Sequence, residues 1–286
     1  MVEKKNKFPF YGYVGLLIIA LGEVLLFLRF FVIPVYFTPL EWSGYILFLD
    51  GLNWKFRSAS LIRSRTREFI LMLPWSVICW LVFELYNVYM QNWTYIGLPQ
   101  NIVARLIGYA WSFATIFPAI LETADLLEPL FGRFTMRPKK ISRSILYVII
   151  WSGFLFLTVP LFFPESTAKY LMAFIWVGFA FLLEPVNYLL DGRSLFRFFE
   201  AGELKQVLSL LLSGLVCGFL WEFWNYWADA KWIYKLPFSW SGPRIFEMPL
   251  LGFLGFIPFA VEVHAMQNYL LVLLGRKKTL APSFST

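Results

Sequence analysis

The chain has almost none of the residues on which soluble metal and redox chemistry depend. Among 286 residues there is one histidine, His264, and there are two cysteines, Cys79 and Cys217. A single imidazole excludes multi-histidine metal sites and bis-histidine haem. Two thiols exclude zinc ribbons, iron–sulfur clusters and a disulfide scaffold. No Asp-x-x-x-Asp or Asp-Asp-x-x-Asp cluster is present to hold magnesium against a diphosphate, and no GxxxxGK[ST] loop for a nucleotide. No lysine sits mid-span to carry a Schiff base, so neither a metal nor an organic cofactor is expected. Charge is scarce as well, at 15% of residues against roughly a quarter in an ordinary soluble domain.

Apolar surface fills the space that charge leaves. Hydrophobic residues make up 59% of the chain and aromatics 21%, and the mean hydropathy is +0.64. One soluble core of this length cannot hide that much apolar area, so the composition predicts an integral membrane protein. Runs long enough to cross about 30 Å of hydrocarbon occur at about 10–33, 36–50, 69–90, 103–124, 144–163, 168–190, 206–228 and 245–273. The expected fold is an all-α bundle of about eight transmembrane helices. Pro39 and Glu41 interrupt the short second run, and Pro249 and Pro258 divide the last into a re-entrant piece and a helix. The first run lacks a small-x-small cleavage site and reads as a retained helix.

Nineteen of the 25 Lys and Arg fall in alternate connections, including Lys4, Lys55, Arg65, Arg133, Lys140, Arg193, Lys205 and Lys277. Only Arg105, Lys169, Lys231, Lys235 and Arg244 occupy the opposite connections, and Arg29 lies within the first span. The positive-inside rule then puts both termini on the cytoplasmic side, with a bacterial inner membrane as the expected location. This distribution, with contact to anionic membrane lipid, accounts for the net charge of +7 without any nucleic acid.

The two halves of the chain match each other. Cys79, Glu84 and Asn87 recur as Cys217, Glu222 and Asn225 at an offset of 138, with aromatic residues at 83, 86 and 89 answering Trp221, Trp224 and Trp227. Trp93-x-Tyr95 answers Trp232-x-Tyr234, Leu98-Pro99 answers Leu236-Pro237, Asp50-Gly51 answers Asp191-Gly192, and Pro118-x-x-x-Glu122 answers Pro258-x-x-x-Glu262. The order and near-constant offset predict two tandem four-helix repeats, residues 1–138 and 139–286. Duplicated membrane proteins of this kind commonly place their sites near the repeat interface.

Carboxylates inside a bilayer are costly and usually face a bundle interior or a cavity. Glu84, Asn87 and Gln91 share one helical face, as do Glu222, Asn225 and Asp229. On one reading Glu84 and Glu222 are acid/base groups, with Asn87, Asn225 and Glu262 beside them and Trp221, Trp224, Trp227, Asp229 and His264 shaping an apolar pocket. On the other, the same acids and amides fix helix packing through hydrogen bonds. Glu122 and Glu262 each follow a helix-bending proline by one turn, Glu184 is positioned to cap backbone groups freed by Pro185, and Asp50-Gly51 and Asp191-Gly192 read as turns. His264 and Asn268 make a local hydrogen-bonding pair.

The stretch Trp232-x-Tyr234, Gly242, Phe246-Glu247-Met248-Pro249-Leu250, Phe253-Leu-Gly-Phe256-Ile257-Pro258 and Glu262 resembles the lycopene cyclase domain of membrane-embedded carotenoid enzymes, over about 30 residues. The resemblance implies two similar membrane units and proton chemistry on a polyene end group. Leu251 and Gly252 stand where that family has paired glutamates, so that role does not carry over to them. Three classes remain open on the sequence: an intramembrane enzyme on an apolar lipid or isoprenoid, a small-solute or ion transporter, and a non-catalytic lipid-binding or structural component. The oligomeric state is not encoded in any of these features.

Overall fold

A computed structural model describes residues 6–132, 135–235 and 243–276. Lys4, Lys5, Arg133, Leu236-Pro237, Gly242, Lys277 and Lys278 lie outside the described residues. The chain is mainly helical. In order it runs α1 (Phe10–Phe27), α2 (Ile33–Arg57), α3 (Leu61–Ser64), α4 (Thr66–Met90), β1 (Trp93–Ile96), α5 (Ile102–Ala114) and α6 (Ile116–Leu127). It continues with α7 (Arg143–Thr158), α8 (Glu165–Ala168), α9 (Met172–Leu189), α10 (Leu195–Ala201), α11 (Lys205–Trp227), β2 (Lys231–Tyr234), β3 (Arg244–Ile245), β4 (Met248–Pro249) and α12 (Phe256–Leu273).

Among the described residues seven helical segments are long and apolar enough to cross a membrane: Phe10–Phe27, Thr66–Met90, Ile102–Phe131, Arg143–Phe162, Glu165–Leu189, Lys205–Trp227 and Leu250–Leu273. The protein is therefore read as an integral membrane protein. The second expected span behaves differently. It forms a helix of 25 residues, longer than the expected 36–50, but it carries Glu41, Asp50 and Asn53, all fully buried among the other helices. Its polar groups face protein rather than lipid, which is how such a sequence is tolerated in a bundle. The helical bundle agrees with the all-α expectation, and two small antiparallel ribbons are added to it, β1 with β2 and β3 with β4. A 3-10 turn over Leu250–Gly255 leads directly into α12, and Pro258 lies within the first turn of that helix.

Local chemistry explains the breaks. Ser60, Asn101, Ser142 and Ser194 cap helix starts by accepting backbone N–H groups. Pro118 lacks the N–H that would continue the ladder across Thr115, so α5 and α6 form separate helices. Gln91, at φ 56°, ends α4 in a left-handed turn that aims the chain into β1. Two helix pairs approach closely through glycine. An added Cβ on Gly15 would meet the Gly44 carbonyl oxygen at 2.5 Å, and one on Gly153 would meet backbone of α9.

The two ends of the bundle differ in chemistry. At one end Arg57 meets Glu128 at 2.5 Å, Lys205 meets the same carboxylate at 3.0 Å, and Arg65 pairs with Asp125. At the other end β1 and β2 lie side by side, with Trp93 opposite Tyr234 and Tyr95 opposite Trp232. Segments that the sequence relates by an offset of 139 thus become direct neighbours.

Candidate functional site

Beneath the β1–β2 ribbon lies a cavity of about 470 Å³. Its wall is drawn from α2, α4, α5, α9, α11 and α12, from the ribbon, and from the turn after β4. That size falls in the range of small-molecule sites. The alternation of a strand puts residues two apart on one face, so Trp93, Tyr95, Trp232 and Tyr234 share a face of the ribbon, and all four line the cavity. Tyr95 and Tyr234 are diagonal neighbours across it, roughly 7–8 Å apart by strand geometry.

The floor is a mesh of rings. Trp80 stacks on Trp221 with centroids 6.1 Å apart, Phe83 stacks on Trp176 at 5.1 Å, and Trp221 meets Trp42 edge-on at 5.5 Å. Arene faces carry negative potential, so such a wall suits an apolar chain and a transient cation alike.

Behind this wall stand the two glutamates expected from the sequence. Glu84 Oε1 accepts from the Tyr95 hydroxyl at 2.6 Å, the Trp80 indole at 2.9 Å and the Trp93 indole at 3.1 Å. Glu222 Oε1 accepts from the Tyr234 hydroxyl at 2.7 Å. The carboxylates themselves are not part of the lining, whereas the two tyrosines bonded to them are. The two pairs differ in how well they are satisfied. Where α4 has Trp80, α11 has Gly218, so Glu222 lacks the matching indole donor. Among the described residues its Oε2 is buried without a hydrogen-bond partner, and so is the Trp232 indole N–H. A buried polar atom left unpaired costs about 1–3 kcal/mol, and such atoms in a native fold call for an explanation.

The remaining expected site residues are dispersed. Asn87 bonds the backbone of Trp93 and Asn92, and Asn225 bonds the backbone of Trp232. Both amides therefore fasten a helix end to its strand and do not line the cavity. Trp221 does line it. Trp224 is buried outside it, donating to Glu23 at 3.2 Å, and Trp227 is half exposed. Asp229 pairs with Arg29 at 2.5 Å on the surface.

Glu262 is fully buried and accepts the Phe179 N–H at 3.1 Å, and it is not among the lining residues. The ring of His264 meets Glu184 at 2.6 Å, and the expected local bond with Asn268 forms through the backbone, the His264 carbonyl accepting from the Asn268 amide at 2.8 Å. Glu184 also accepts from Ser194 and from the Leu195 N–H, capping α10 rather than its own bend. Asp50 is no turn residue either. It is buried within α2 and accepts from Tyr11 at 2.5 Å and the Ile62 N–H at 2.6 Å.

The residues that the sequence reading did not assign are Tyr95, Tyr234, Trp80, Trp93 and Trp176. Only the repeated Trp-x-Tyr hinted at four of the wall positions. Met248, Pro249, Leu251 and Gly252 also line the cavity. Among the described residues no cluster of three or more His, Cys, Asp or Glu is placed to hold a metal ion. Comparison of the chain with known protein families, characterised proteins and solved structures gives no match.

Proposed function

We propose that the protein is an intramembrane enzyme that moves a proton within an apolar isoprenoid or related lipid, and that its internal duplication serves this chemistry. The observation that carries the proposal is the pair of tyrosines on one ribbon face, both lining one aromatic cavity and each bonded to a glutamate behind it. A protonated Glu–Tyr pair delivers the tyrosine proton to a substrate double bond, and the carboxyl group reloads the tyrosine. The carbocation formed is stabilised by the faces of Trp80, Trp221 and Trp176. The opposite pair, with its glutamate ionised, takes a neighbouring C–H proton through its tyrosine oxygen. One C–H bond forms and one breaks, so the double bond shifts or a ring closes with no net oxidation. Such general acid–base steps are typically worth 10²–10⁴-fold in rate. The resemblance to a carotenoid-enzyme domain agrees with a polyene substrate, and the absence of glutamates at Leu251 and Gly252 leaves the acid role to the ribbon pairs.

Lipid and pigment extracts of host cells lacking the protein test this against cells carrying Glu222→Gln or Tyr234→Phe. Both variants are expected to accumulate the compound that the deletion accumulates, with Glu222→Gln more severe than Glu84→Gln because Glu222 has the unpartnered oxygen. Extracts that do not change on deletion would remove the isoprenoid reading.

A further inference from the structure

We infer that the ligand of this cavity is an amphiphile, one apolar chain ending in an anionic phosphate ester, with the phosphate held at the cavity edge by Arg105 and Lys169. The inference rests on the proposed apolar-chain site and adds the chemistry of the substrate's polar end.

Charge placement carries it. The sequence puts only five of its 25 Lys and Arg in the connections opposite the basic ones. Three of these five line the same cavity. They arrive from three separate elements: Arg105 from α5, Lys169 from the 3-10 turn before α9, and Lys231 from β2. No Asp or Glu is among the described lining residues, so the positive field there is opposed only from behind. The Lys231 ammonium is engaged outside the lining, donating to the Tyr226 carbonyl at 3.1 Å and pairing with Glu247 at 3.5 Å, so it adds to the positive field without being a free phosphate donor. Lys169 stands over the Tyr170 ring at 5.6 Å.

Arg105 is already oriented. Its Nε and Nη2 donate to the Pro99 carbonyl at 3.0 and 2.9 Å, which fixes the guanidinium plane, while Nη1 makes no bond among the described residues. A fixed guanidinium with a remaining donor is suited to a phosphate oxygen. Cations placed against the positive-inside bias serve a purpose other than topology, and here they border a wall that is otherwise aromatic.

Ligand-induced thermal shifts of the purified full-length protein in detergent test the inference, with farnesyl phosphate, farnesol, lysophosphatidate, monoacylglycerol and inorganic phosphate as probes. Farnesyl phosphate is expected to reach its half-maximal shift at a concentration at least tenfold below that of farnesol. Lys169→Gln and Arg105→Gln are each expected to narrow that gap to less than threefold while leaving farnesol binding in place. Should Arg105→Gln fail to fold because the Pro99 anchor is lost, Lys169→Gln alone decides. Lysophosphatidate outperforming monoacylglycerol by the same margin would support the phosphate site with an acyl chain in place of the isoprenoid. Farnesol binding as tightly as its phosphate would overturn the anionic-head inference and leave the apolar-cavity reading standing. Inorganic phosphate acting alone at the farnesyl phosphate concentration would overturn the amphiphile. No shift with any probe overturns the inference, and the extract comparison then decides separately whether the enzyme reading also falls.

Discussion

At the scale of single residues, the contrast between Glu84 and Glu222 is the most informative feature. Three donors converge on Glu84 Oε1, whereas Glu222 has one, the Tyr234 hydroxyl. Removing that hydroxyl leaves a fully buried carboxyl group with only the neighbouring Trp232 indole near it among the described residues. Tyr234→Phe is thus expected to destabilise the protein by about 1–3 kcal/mol, read as a lowered unfolding temperature in detergent. Tyr95→Phe should cost less, because the two indoles remain. Coupling gives a sharper check: Tyr234→Phe combined with Glu222→Leu should cost clearly less than the two singles added. Strict additivity would mean that the hydroxyl and the carboxylate do not depend on each other. The spacing of Glu84 with Asn87 and of Glu222 with Asn225 was legible because residues three apart share a helical face. The division of labour between acid and amide was not, since it depends on where the chain goes after the helix ends.

At the scale of elements, helix pairs are set by close approach and by buried polar ties. The contact of α1 with α2 runs through Gly15 and Gly44, and that of α7 with α9 through Gly153 and Gly178. Small residues allow membrane helices to pack backbone against backbone, which gains dispersion energy where no hydrophobic driving force exists between helices. A methyl group at Gly15 or Gly153 forces backbone apart, so Gly15→Ala and Gly153→Ala are expected to cost about 1–3 kcal/mol each. Gly255→Ala is the control: nothing lies within 4 Å of its added Cβ, and the change should stay within about 0.5 kcal/mol. Equal unfolding temperatures for all three variants would refute the close-packing account. The prolines were legible as helix breakers, and Pro118 does separate α5 from α6. The matched Glu122 and Glu262 were not separable by sequence. Glu122 receives the Leu61 N–H and the Asn53 amide at the start of α3, whereas Glu262 receives a backbone N–H in the middle of α9.

At the scale of the molecule, one carboxylate ties three segments of the basic end together through hydrogen bonds that depend on its charge. Glu200 in α10 accepts the Ile141 N–H at 2.9 Å and the Tyr188 hydroxyl at 2.8 Å, binding the 135–142 segment and α9 to the short helix. The Ile141 N–H, followed by the Tyr188 hydroxyl, lowers its pKa below the ordinary carboxylate value. A depressed folded pKa stabilises the native state above the unfolded pKa, and that stabilisation is lost as pH falls through the folded value. The wild-type unfolding temperature should therefore drop more steeply than that of Glu200→Gln as pH falls below about 5. Parallel curves would show that Glu200 contributes nothing through its charge.

The sequence by itself determined the solvent, because 59% hydrophobic and 15% charged residues cannot be reconciled with a soluble core. It also marked most of the membrane-crossing segments, since 20-residue apolar runs are a one-dimensional property. The intramembrane acids stood out for the same reason: few charges fall inside the spans. Only the tertiary structure decided what those acids touch. Tyr95 and Tyr234 are 139 residues apart and meet through a ribbon whose strands come from opposite halves of the chain. A pairing between distant segments leaves no periodic trace in either one, so the cavity, its tyrosines and the three cations at its edge emerge only once the chain is folded.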